Sequence, residues 1–269
     1  MITLAELYAY PVKSCRGIAL ERALLTAAGL EHDREWMVVT PEGRFLTQRE
    51  SPRLALIVPR LEPDALTLTA PGRADLAVPL AGSGIVREVV VWRDRCRARD
   101  EGDGAAGWLT DFLGRAARLV RFDPAQPRYS DPQWAGDTGA VTRFSDGYAL
   151  LAISRASLDD LNARLPLPLP VDRFRPNVVL QGLPPYGEDG LRDLGVGDGV
   201  RLRIVKPCTR CVITTTNQLT GEVGGDEPLR TLKTYRWNEP LRGVAFGQNV
   251  IVVRGAGTIL ERGSPVVCA

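Results

Sequence analysis

Apolar positions along the chain gather in short, nearly continuous runs rich in valine, isoleucine and leucine, separated by glycine, proline and aspartate. Such runs are too short for helices and suit buried strands. Strands are therefore expected at Ile2–Tyr10, Glu35–Thr40, Leu54–Val58, Ala65–Thr69, Val86–Trp92, Asn177–Leu180, Val200–Lys206, Cys211–Thr216 and Asn249–Val253. A helical period is convincing in two places, Ala105–Leu113 and Ser157–Leu165, the second opening with a serine N-cap and an acidic first turn. Two helices among so many strands predict a mainly β fold, a β-barrel with accessory helices. No repeat of roughly 20–50 residues is visible, and the longest biased tract is LPLPLP at Leu165–Pro170.

The stretch Asp123–Asp137 holds three prolines, three aspartates and a glycine without a period, so it reads as a linker or an ordered surface loop. A domain boundary is placed there, giving an N-terminal β domain over residues 1–122 and a second barrel over residues 123–269. A second loop, Gly182–Asp198, ends in Asp198-Gly199, a turn signal before the strand that begins at Val200.

With 269 residues, 44% of them hydrophobic, the chain can bury a core without disulfide or metal staples. The formal charge of +2 advertises neither a nucleic acid nor a membrane surface as partner, so any cationic site must be local. Of the 34 basic residues only Lys13, Lys206 and Lys233 are lysines. The single histidine, His32, excludes a Ser-His-Asp triad in its usual form and any multi-histidine metal site. Five cysteines at irregular spacing argue against a secreted disulfide scaffold. The N-terminus lacks the pattern of a signal peptide, and no run approaches the roughly 20 apolar residues that span a bilayer. A soluble, cytoplasmic protein is expected.

The strongest local signal is KPCTRC, Lys206–Cys211, a C-x-x-C pair flanked by Lys206 and Arg210. Cationic neighbours favour thiolate, which is both nucleophile and soft metal ligand. A structural zinc, a thioredoxin-like dithiol and a pair of buried structural thiols all remain open for it. YPVKSCRGI places Lys13 and Ser14 at the exit of the first strand, where an ammonium and a hydroxyl suit an anionic group. HDREW and DRFRPN put Arg34 and Arg175 just before strands. Neither a Walker loop nor a Rossmann glycine fingerprint is present, so a phosphate here would be held by scattered Lys, Arg and Ser side chains.

Together, YPVKSCRG, DREWMVV, FLTQRE, DRFRPNVVL, KPCTRCVITTTNQLTGE, EPLRTLKTYR and FGQN, in that order, closely resemble the molybdenum-cofactor sulfurase C-terminal (MOSC) domain family with its N-terminal β-barrel partner. The resemblance is to the branch that holds the mitochondrial amidoxime-reducing component and its bacterial relatives. It implies an N-terminal β domain followed by a MOSC barrel, with molybdenum cofactor (molybdenum-molybdopterin) bound to it. By motif position it makes Cys211 the protein ligand of molybdenum at the catalytic centre and leaves Cys208 a structural thiol. It assigns the pterin and its phosphate to Lys13, Ser14, Arg34, Arg175 and Asn177. Thr209 and Arg210 would lie near the metal, and Asp146 and Gly147 in FSDGYALL match another cofactor-contacting stretch. Asn249 follows FGQ, where relatives carry a tyrosine. Thr47–Glu50 belongs to the pattern but receives no contact, a structural ion pair being its reading.

The activity implied is reduction of amidoximes, hydroxylamines and N-hydroxylated base analogues, with the cofactor supplying the hard step so that one histidine is no handicap. Some bacterial relatives continue into a plant-type ferredoxin domain, whereas this sequence stops after the MOSC motifs. Electrons are therefore expected from a separate donor protein of ferredoxin, flavoprotein or cytochrome b5 type. No nucleic acid or membrane partner is expected, and binding of pyridoxal phosphate is left open. Two rivals remain at this stage, a cofactor carrier or sulfur-transfer protein without turnover, and a zinc-containing interaction module using Cys208 and Cys211.

Overall fold

The computed structural model describes residues 1–82 and 84–268. Its centre is a ring of seven strands in the order Leu150–Ser154, Val178–Gln181, Ile2–Ala9, Pro265–Cys268, Asp193–Val196, Val200–Thr209 and Gly243–Arg254. Pairing of the last with the first closes the barrel. An odd ring cannot alternate strand direction throughout, so one neighbouring pair must run parallel. That pair is Leu150–Ser154 with Val178–Gln181. Parallel neighbours need a crossover, and the helix Arg155–Arg164 lies in it.

The barrel is filled by Leu4, Leu7, Leu150, Val178, Leu180, Leu194, Leu202 and Val250, with Leu25, Leu30 and Leu260 closing it. Leu4 and Leu7 are an odd number of residues apart and would face opposite sides of a regular strand. A bulge between Leu4 and Glu6 shifts the register by one and brings both leucines inside.

Around the barrel the N-terminal half forms a four-stranded sheet of Trp36–Val39, Arg118–Phe122, Asp94–Asp100 and Val86–Val91, and a three-stranded one of Val58–Leu61, Ala65–Thr69 and Leu76–Pro79. The helix Gly102–Leu113 buries Trp108, Leu109 and Phe112 and ends at Gly114, whose φ of +68° only glycine adopts without strain. The mainly β barrel architecture with accessory helices is thus as expected, and both predicted helices form. The cap of the second is Ser154, which accepts from the Ser157 amide, rather than Ser157 itself. Among the described residues no helix is long and apolar enough to cross a membrane.

Two predicted strands are not strands. Leu54–Val58 falls largely in a 3-10 helix, Pro52–Leu56, started by a proline at its first position. Cys211–Thr216 is replaced by the 3-10 helix Val212–Thr215. There the Thr214 and Thr215 hydroxyls donate to the Cys211 and Val212 carbonyls at 2.9 and 2.8 Å, a local alternative to ladder bonds. Both presumed loops contain short strands. Arg128–Tyr129 pairs with Val141–Thr142, and Asp193–Val196 forms a hairpin with Val200–Thr209.

Gly247, within FGQN, has a φ of +78° in the strand Gly243–Arg254, and a Cβ there would stand 2.8 Å from the Ala152 carbonyl oxygen. Gly247→Ala therefore strains both the backbone and the pairing that closes the ring. We expect a loss of about 2–4 kcal/mol, read as a lower urea midpoint at unchanged slope.

Candidate functional site

Strand ends of the barrel meet the N-terminal sheets at an open cleft. Lys13 and Ser14 follow the strand Ile2–Ala9, and Arg34 precedes Trp36–Val39. Asp146 and Gly147 precede Leu150–Ser154, and Arg175 and Asn177 precede Val178–Gln181. Thr209 ends Val200–Thr209, Arg210 and Cys211 follow it, and Asn249 lies in Gly243–Arg254. The structure brings all of these sequence-predicted residues to the one cleft. Ser14, Arg34 and Arg175 have φ of +68°, +46° and +56°. Left-handed backbone at non-glycine residues costs about 1–3 kcal/mol each and persists only where the surroundings enforce it.

Lys13 is 6% exposed. It donates to the Phe144 carbonyl at 2.8 Å and to Asp146 Oδ1 at 2.5 Å. Burial lowers the Lys13 pKa below the usual lysine range, against the pull of Asp146. The Asp146 side chain is 65% exposed, and its carboxylate is paired with Lys13 and with the Trp92 indole N–H at 3.1 Å.

Arg34 bonds both oxygens of the buried Asp33, the Asn177 side-chain oxygen at 2.9 Å and the Arg175 carbonyl at 3.1 Å. Asn177 also takes the Leu151 amide and donates to the Tyr8 carbonyl. Its amide is thus engaged at both ends within the protein and orients Arg34. The Arg34 and Arg175 guanidiniums each lie 4.3 Å from the Tyr10 ring centroid. Arg175 donates to the Cys15 carbonyl at 2.7 Å, and burial pulls its pKa down to about 10.

Cys208 Sγ accepts from Arg210 at 2.9 Å, and Arg210 also bonds the Phe174 carbonyl at 2.6 Å, next to Arg175. Its Nε is buried without a partner. Cys211 Sγ accepts from Arg49 Nη2 at 3.0 Å. Arg49 stacks on Trp92 at 4.9 Å. It lies within the Thr47–Glu50 segment, to which sequence reading assigned no contact, and both Thr47 and Arg49 line the cleft. The signal that could have found it was the FLTQRE motif itself.

Cys15 is fully buried, and burial pushes its thiol up to about 12. His32 does not line the cleft; its Nδ1 lies 2.9 Å from Glu35. Among the described residues no group of three or more His, Cys, Asp or Glu side chains could hold a metal. A zinc module built on Cys208 and Cys211 therefore finds no further ligands there, and a metal in the cleft would have to bring most of its ligands with it.

The chain matches the model of the MOSC N-terminal beta barrel domain over residues 1–116 and that of the MOSC domain over residues 140–267. It belongs to the MOSC family. Within the family it is related at moderate identity to mitochondrial amidoxime-reducing component 1 of Mus musculus, 39% identical with 91% of this chain and 75% of that one covered. The Homo sapiens component 1 is 38% identical over 98% and 82% of the two chains. Component 2 of Bos taurus is 36% identical over 88% and 73%. Likeness to these oxidoreductases supports an enzymatic role for the MOSC chain. Their names also correct the expected cytoplasmic location, since these relatives are described as mitochondrial. Unpaired cysteines distinguish oxidising from reducing compartments but not one reducing compartment from another.

Beside the cleft, Glu35 is 14% exposed and takes His32 and Arg121 Nε, the latter at 2.7 Å. Burial alone would raise its pKa, but the His32 hydrogen bond and the Arg121 charge bring it down from 4.5 to about 2. The folded value lies below the unfolded one, so this stabilisation is complete above about pH 4.5 and is lost as the pH falls towards about 2. Glu35→Gln should cost about 1–3 kcal/mol at pH 7, the loss expected for hydrogen bonds to a charged group, and flatten the acid limb of a stability-against-pH curve.

Proposed function

We propose that this MOSC protein is a molybdenum-cofactor-dependent oxidoreductase. It reduces N-hydroxylated compounds such as amidoximes, hydroxylamines and N-hydroxylated base analogues, with electrons from a separate redox protein. The observation that carries the reading is a thiol, Cys211, on the wall of a cleft whose rim holds Lys13, Arg34, Arg49, Arg175 and Arg210 against one cleft-lining carboxylate, Asp146. That cationic excess suits a phosphate-bearing cofactor. The unpartnered Nε of Arg210 offers a further donor, and the lack of a protein metal cluster among the described residues suits a metal that arrives already ligated.

Cys211 would hold the metal, and Lys13, Ser14, Arg34 and Arg175 the pterin and its phosphate. When bound, the cofactor supplies a metal that passes electrons singly or in pairs and removes oxygen from nitrogen. Converting an amidoxime to an amidine and water consumes two electrons and two protons. Arg49 orients the Cys211 sulfur, Asn177 orients Arg34, and Phe174, Leu151 and Ile213 give the cleft an apolar wall suited to a planar substrate.

Two predictions test the reading on protein made in a host that synthesises the cofactor. Molybdenum per chain should be near stoichiometric in the unaltered protein and largely absent from Cys211→Ala, with amidoxime reduction falling at least about 100-fold; Cys208→Ala should keep most of both. Equal loss in the two variants would reverse the thiol assignment, and a loaded protein with no turnover under chemical reduction would favour a carrier. Arg175→Ala should retain less cofactor after gel filtration than Arg155→Ala, because Arg155 pairs with Glu6 away from the cleft. Equal retention would sink the anion-site reading.

A further inference from the structure

The proline-rich stretch that reads as a linker carries Arg128, 8% exposed and outside the cleft lining. Its Nε donates to Asp94 at 2.6 Å. Its Nη1 donates to the carbonyls of Arg143 at 3.0 Å and Ser145 at 2.5 Å, and its Nη2 to that of Asp146 at 3.1 Å. Lys13 holds the carbonyl between them, that of Phe144, at 2.8 Å. Four consecutive carbonyls are thereby turned towards two buried cations. A lysine could not replace Arg128, since only a planar fork of five N–H groups reaches three carbonyls and a carboxylate at once.

In a trans peptide the C=O of one residue and the N–H of the next point in opposite directions. The N–H groups of Asp146 and Gly147, opposite the Ser145 and Asp146 carbonyls, therefore point away from Arg128. Both residues line the cleft, and neither N–H has a backbone acceptor among the described residues. On its Cβ side Gly147 is open, a Cβ there meeting nothing within 4 Å. The Asp146 carboxylate, which would repel an anion, is already paired with Lys13 and the Trp92 indole.

We propose that Arg128 is a positioning residue that aims the Asp146 and Gly147 N–H groups into the cleft as paired donors for an anionic oxygen of phosphate class. Two fixed N–H groups beside a cationic rim are the arrangement that binds such oxygens without reorganisation. This inference rests on the cofactor reading above and adds to it a backbone contact and the residue that builds it.

The test follows amide signals of ¹⁵N-labelled protein, cofactor-loaded and cofactor-free. The Asp146 and Gly147 amide protons should move downfield on loading, and in cofactor-free protein the same pair should move on titration with inorganic phosphate. Shifts at Ser14 and Arg34 on loading with none at the pair would overturn the inference and leave the cofactor reading standing. Failure of any cleft amide to move on loading would overturn both. Movement on loading but not with phosphate would overturn the phosphate assignment. Arg128→Gln should abolish both shifts and weaken phosphate binding by about tenfold, the loss expected for a hydrogen bond to a charged group, with Arg128→Lys intermediate. An Arg128→Gln protein with native signal dispersion and unchanged shifts would refute the role given to Arg128; if that variant does not fold, the measurements on the unaltered protein still decide whether the paired donors exist.

Discussion

A cation withdrawn from water is tolerated only when its charge and its hydrogen bonds are met inside the protein, and breaking such a pair costs several kcal/mol. Lys13 meets that demand with Phe144 and Asp146, more than 130 residues further along the chain. Arg34 meets it with Asn177 and the Arg175 carbonyl, Arg175 with the Cys15 carbonyl, and Arg49 reaches Cys211. The neutral pair Gln48 and Gln218 exchanges two further bonds across the same seam. Each contact joins residues 13–49 to residues 144–218. The cleft is where the two halves of the sequence satisfy one another, and the position of its walls follows from that requirement.

Much of the site was legible because its residues lie in short motifs at the ends of strands, where local composition already marks a turn. Arg49 was not, because what it does depends on a fold that brings residue 49 to residue 211. Asn177 was found, but its role as the group that orients Arg34 appears only with its three side-chain partners in place. Among the strands, Ala65–Thr69 was legible to the residue. Asp94–Asp100 was missed because its inward positions are Cys96, Ala98 and Asp100, two small side chains and an acid paired with Arg118, and no apolar run announces it. Cys211–Thr216 misled for the opposite reason: β-branched composition describes what fits a sheet, but the threonine hydroxyls closed local turns instead.

The protein fixes the polar groups around the cleft by hydrogen bonds to one another and to backbone carbonyls. Its one histidine is tied to Glu35, and its cysteines do not gather into a metal cage among the described residues. The strain stored at Ser14, Arg34 and Arg175 is offset by the buried hydrogen bonds around them, so these groups are held in place before a ligand arrives. Such preorganisation lowers the cost of binding.

Closure of the barrel places Ile2–Ala9 between Val178–Gln181 and Pro265–Cys268, and makes Gly243–Arg254 the partner of Leu150–Ser154. The first strand of the ring in sequence therefore waits for the last, Pro265–Cys268, before both its edges are covered. Until residues 243–268 emerge, the nascent chain carries exposed strand edges of the kind that invite wrong pairing. The cleft cannot be complete until residues 243–268 have joined the ring, so whatever it binds is acquired after that closure, and the interval before it is when a chaperone would be most needed.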